Sequence, residues 1–161
     1  MKLFMGIDPG LDGAIATVSD CGADVAVYDI PNMKIGKKKE VDLMTLRAVL
    51  EHALERAELV TCCIERVHSM PKQGVASSFN FGKTAGILLG MLAAMKVPFQ
   101  QVTPQEWKKK MMNGQGKEKD ASRQVAGQMF PTADLHLKKH HNRADALLIA
   151  EYCRQQTGGI K

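Results

Sequence analysis

The chain has 161 residues, a formal net charge of +5, 45% hydrophobic and 24% charged residues, a balance ordinary for a soluble globular domain and foreign to disordered or fibrous chains. No apolar run reaches the length of a membrane helix, and Met1-Lys2 leads into a strand-like segment without a signal peptide's basic region or cleavage site. The expectation is a cytoplasmic protein with no membrane partner, one domain over residues 1–155 and a flexible tail over 156–161.

Two apolar runs organise the core. Leu3-Phe4-Met5-Gly6-Ile7-Asp8 and Val60-Thr61-Cys62-Cys63-Ile64-Glu65 read as central strands buried on both faces, each ending on an acid at the rim. A carboxylate there needs a compensating partner, and a divalent cation shared by several acids supplies one. Between the runs, residues 14–18 and 24–30 read as two further strands with short links, which gives an antiparallel meander. Residues 31–39 read as a loop. Asp42 is the expected N-cap of a helix with Leu43, Leu46, Leu50 and Leu54 on its apolar period, and that helix feeds the second acidic strand in parallel.

Residues 66–74 form a loop beside the acids, with His68 and Met70 in reach of a bound substrate. Residues 75–95 form a helix rich in small and apolar residues around most of its circumference, so both sides need cover. A second copy of the chain is the preferred cover for the outer side, and packing within the chain is the alternative. Its Phe81-Gly82-Lys83-Thr84 lacks the preceding glycine and strand of a phosphate-binding loop. Residues 97–102 form the last strand, Pro104 opens a short helix carrying Trp107, and a helix near 120–129 stops at Phe130-Pro131.

The final helix starts at Asn142. Leu148, Ile149 and Tyr152 follow Asp145 at spacings of three, four and seven, which places Asp145 on the packing stripe, facing the acids of the strands. His136, His140 and His141 are dense but have no cysteine beside them, and their lysine-rich context does not favour a dedicated zinc site. Cys21, Cys62, Cys63 and Cys153 form no C-x-x-C pair and read as reduced, buried thiols.

Half of the 22 Lys and Arg residues fall in three short runs: Lys34, Lys37, Lys38 and Lys39; Lys108, Lys109, Lys110, Lys117 and Lys119; Lys138 and Lys139. Beside an acidic metal pocket, such runs suit a polyanion held by its phosphates while one phosphodiester is attacked. The oxygen donors of Asp8, Glu65 and Asp145 favour Mg2+, with Mn2+ as a substitute.

Gly6-Ile7-Asp8-Pro9-Gly10, Ile64-Glu65-Arg66-Val67 and Arg143-Ala144-Asp145-Ala146, in this order and on these elements, resemble the RuvC-like Holliday junction resolvases of the ribonuclease H-like superfamily. The resemblance implies an α/β ribonuclease H-like fold with a mixed five-stranded sheet, the meander plus parallel strands, and helices on both faces. It also implies a homodimeric, magnesium-dependent endodeoxyribonuclease that cuts two opposed strands of a four-way DNA junction. Asp8, Glu65 and Asp145 match its metal-binding acids, Lys119 an assisting lysine and His68 a side chain near the junction centre. Lys37, Lys38, Lys39, Lys108, Lys109 and Lys117 are the expected DNA contacts. One position departs: where the family commonly carries an acid or histidine, three residues before Asp145, this chain has Asn142, and His141 is the alternative ligand. A ribonuclease H-like nuclease of RNA or hybrid, and a junction-binding protein with weak catalysis, remain open readings.

Overall fold

The computed structural model describes residues 1–68, 74–114 and 120–157. Strands β1 (Lys2–Asp8), β2 (Ala14–Ser19) and β3 (Val25–Asp29) form the expected meander. A hairpin follows, β4 (Asn32–Ile35) and β5 (Lys38–Val41), and then helix α1 (Leu43–Leu54) and β6 (Leu59–Glu65). Helix α2 (Val75–Ala94), β7 (Phe99–Val102), α3 (Pro104–Met111), α4 (Ala121–Met129), a 3-10 turn (Lys138–His140) and α5 (His141–Thr157) complete the chain. The main sheet has the order β3-β2-β1-β6-β7, with β6 and β7 parallel to β1, so β1 is central.

Local chemistry explains the helix starts. Asp42 accepts the Thr45 backbone N–H at 3.0 Å, as an N-cap does. Thr103 and Glu106 close a capping box over α3, with Pro104 in the first turn. Alternation along β1 then splits the core. Met5 and Ile7 pack with Cys62, Ile64, Leu46, Leu50, Leu88 and Leu92 against α1 and α2. Phe4 and Cys63 face the other way, toward Trp107, Ala126, Leu147 and Ala150 of α3, α4 and α5.

Residues 31–39 are not a loop. They belong to the β4–β5 hairpin, turned at Gly36-Lys37, where Gly36 has φ +62°. A left-handed residue at the first turn position lets a two-residue turn follow the twist of its strands. Nearly every hairpin residue is exposed, so no buried face imprints its alternation on the sequence. The hairpin is tied down by ion pairs, Lys39 to Asp12 and Lys83 to Glu40.

Helix α2 is buried along Thr84, Ala85, Leu88 and Leu92, while Val75, Phe79, Gly82, Gly86, Gly90 and Ala93 are exposed. All four cysteines are free, three buried as expected; Cys21 is exposed instead, because it lies in the turn after β2. Gln156 and Thr157, expected in a tail, complete α5, and 158–161 lie outside the described residues. Among the described residues no helix is long and apolar enough to cross a membrane.

Candidate active site

The side-chain alternation that splits the core also aims the acids. Phe4, Gly6 and Asp8 share one face of β1, and Cys63 and Glu65 share that face of β6. Ile7 and Ile64 are register partners, so Asp8 and Glu65 end neighbouring parallel strands side by side. Helix α5 supplies the third acid because Gly6 lets it approach. A Cβ built on Gly6 would stand 2.2 Å from both the Ala146 carbonyl oxygen and the Ala150 nitrogen. Asp145 precedes Ala146, so this contact delivers its carboxylate to the rim that holds Asp8. Leu148, Ile149 and Tyr152 are buried beneath it, as the stripe predicted.

Electrostatics show the acids sensing one another. Burial, then the neighbouring Asp145 and Glu65 carboxylates, hold the Asp8 carboxyl well above the usual carboxylate range. Burial raises Glu65 too, with Asp145 adding to the effect, and burial raises Asp145. Three groups offset this. Trp107, fully buried on α3, donates its indole N–H to Oε2 of Glu65 at 2.7 Å. Ser122 on α4 lowers the Asp145 pKa, against the effect of burial. Lys108 lowers all three acids by its charge, its ammonium standing 5.2 Å from the Trp107 ring centroid.

The donor set fits a hard cation. Asp145 Oδ1 is buried without a hydrogen-bond partner among the described residues, which is costly unless something positive meets it. The carboxylates are not collapsed onto one point, since the one group among the described residues with three ligand atoms within 4.8 Å of one another is Asp134, His136 and His140.

The other expected ligands divide. His141, first residue of α5, lowers the Asp145 pKa by its charge, and its Nδ1 lies 3.4 Å from the Lys138 carbonyl oxygen. With the proton on Nδ1, Nε2 keeps a lone pair for a ligand. Asn142 instead donates its amide to the Asp12 carbonyl in the β1–β2 turn.

His68 is exposed and lowers Glu65 by its charge. Lys37, Lys38 and Lys39 lie on the exposed hairpin, and Lys109 is exposed on α3. Met70, Lys117 and Lys119 lie outside the described residues.

Sequence reasoning missed Trp107, Ser122 and the siting of Lys108 at the acids. A buried indole N–H seeks an acceptor, and Trp107 beside a lysine run was the one available signal.

The order of the sheet and its two helical layers make this a ribonuclease H-like fold. Solved structures similar to it include Thermus thermophilus RuvC in complex with a Holliday junction substrate, at 16% identity over 99% of this chain and 97% of that one, TM-score 0.68. A second Thermus thermophilus RuvC structure matches at 16% identity over 97% and 96%, TM-score 0.58. The yeast mitochondrial Holliday junction resolvase Ydc2 matches at 15% identity over 95% of this chain and 79% of that one, TM-score 0.54. No curated protein matches the sequence. The family model described as crossover junction endodeoxyribonuclease RuvC matches residues 4–152. The chain belongs to the RuvC family of crossover junction endodeoxyribonucleases.

Proposed function

We propose that this chain resolves four-way DNA junctions as a homodimer, by metal-dependent hydrolysis of two opposed phosphodiesters. The convergence of Asp8, Glu65 and Asp145 on one rim carries this reading. These acids would hold the ion, with His141 favoured over Asn142 as a further ligand because the Asn142 amide is committed to the Asp12 carbonyl. Oxygen donors select Mg2+, or Mn2+ in its place. When bound, such an ion supplies positive charge to the attacked phosphate and acidifies water.

The protein's own groups do the positioning. Trp107 fixes one oxygen of Glu65. Ser122 favours the charged form of Asp145. Lys108 offsets negative charge at the rim and stands ready to face a phosphate; Lys119, by resemblance, assists. His68 lies beside Glu65, where a junction strand would pass. Lys37, Lys38, Lys39, Lys109 and Lys117 would hold phosphates, a binding mode set by charge and branch geometry more than by base reading.

The two-fold arrangement would come from α2. Its outward stripe of Val75, Phe79, Gly82, Gly86, Gly90 and Ala93 is exposed, and a Cβ added at any of the three glycines meets open space. Close approach of a second α2 fits such a stripe, and two sites related by a two-fold axis match a two-fold junction. The test is a panel of labelled four-way, nicked, linear and RNA–DNA hybrid substrates with and without Mg2+. Paired nicks confined to the four-way junction are expected; cleavage of hybrid alone would refute the reading.

A further inference from the structure

We propose that Asp134, His136 and His140 form a second metal site, separate from the carboxylate rim and suited to Zn2+. One ligand atom from each lies within 4.8 Å of the others. Both imidazoles turn Nδ1 toward the same oxygen, Asp134 Oδ1, at 2.5 Å from His136 and 3.6 Å from His140. The rings stand edge to face, 5.4 Å between centroids.

The second observation is His140 itself. It is 4% exposed, and its Nδ1 has no hydrogen-bond partner among the described residues. Asp134 Oδ1, 3.6 Å away, is beyond hydrogen-bond reach. A buried nitrogen aimed at a carboxylate oxygen it does not bond costs free energy unless another atom sits between them. A metal ion held by all three side chains would fill that place, and the titration below separates it from a bridging water.

The surroundings fit a ligand set. Arg143 bonds the other carboxylate oxygen, Asp134 Oδ2, at 2.7 Å, which fixes the carboxylate's orientation, as outer partners of metal ligands do; Oδ1 is paired directly with His136 Nδ1, and an ion would bind by replacing that contact. Two imidazole nitrogens and one carboxylate oxygen suit Zn2+ better than Mg2+. Asp134 and His136 are exposed, which leaves a fourth position to water. None of Asp8, Glu65 or Asp145 belongs to this group. An ion here would clip the connector after α4 to the turn that starts α5, the helix carrying Asp145.

Zn2+ titration of the metal-free full chain in competition with a chromophoric chelator tests the site. One tight equivalent is expected, weakened at least tenfold by His136→Ala, an exposed position whose truncation spares the core. Asp145→Asn should bind Zn2+ like the parent. Co2+ in place of Zn2+ should give tetrahedral visible absorption that His136→Ala abolishes. Absence of the tight equivalent, unchanged affinity in His136→Ala, or loss of Zn2+ in Asp145→Asn would overturn the proposal. None of these results bears on junction cleavage, which is assayed separately.

Discussion

The indole N–H of Trp107 and the Oε2 atom of Glu65 are 2.7 Å apart, joined across 42 residues of sequence. This bond favours the ionised form of Glu65 against the burial that raises its pKa. Trp107→Phe keeps most of the buried ring and removes the donor. We expect it to cost about 1–3 kcal/mol of stability. It should also raise the Glu65 pKa, so the acidic limb of the cleavage profile moves to higher pH. Rates measured across the acidic range check this; an unchanged limb would mean that Glu65 does not need its charge.

Gly6 is where α5 touches β1, with no room for a methyl group. Gly6→Ala must push the helix away, and overpacking of this kind costs about 1–3 kcal/mol or more. Because Asp145 rides on the displaced segment, cleavage should fall far more than thermal stability does. Thermal melts and junction cleavage on the same preparation separate the two effects.

Asp8 carries its charge at a cost in the absence of metal. A carboxyl whose pKa is raised on folding binds more protons folded than unfolded. Its contribution is most favourable below the unfolded value of 3.8 and is lost as pH rises through the raised one. At neutral pH and without metal, Asp8→Asn should therefore melt higher than the parent, and the gap should close as the pH falls. Mg2+ should raise the melting temperature of the parent and have little effect on the variant.

The hairpin lysines are not equivalent. Lys39 is already paired with Asp12, whereas Lys38 has no ion-pair partner among the described residues. If both face phosphate, Lys38→Ala should reduce the slope of log affinity against log salt by about one, and Lys39→Ala by less. Binding titrations at several salt concentrations read both slopes.

Much of this arrangement was legible in the sequence because burial on two faces writes itself into composition. The β1 and β6 runs are apolar up to their terminal acids, and the spacing behind Asp145 marks its face of α5. The β4–β5 hairpin was not legible, since Met33, Ile35 and their lysine neighbours are all exposed and no core enforces a pattern. Trp107 with Glu65 and Ser122 with Asp145 are contacts between distant elements, which local periodicity does not encode. Asn142 was legible as a departure from the family, but its bond to the Asp12 carbonyl depends on how α5 meets the β1–β2 turn. Asp134 joins His136 and His140 through the connector's conformation, while His141 acts on Asp145 through its charge.

The acidic rim is tested most directly by Asp8→Asn, assayed for binding and for cleavage on one labelled four-way junction in Mg2+. The account predicts binding at parental affinity or better, with cleavage reduced by about three orders of magnitude, roughly 4 kcal/mol at the barrier. Cleavage by the variant at the parental rate would contradict it.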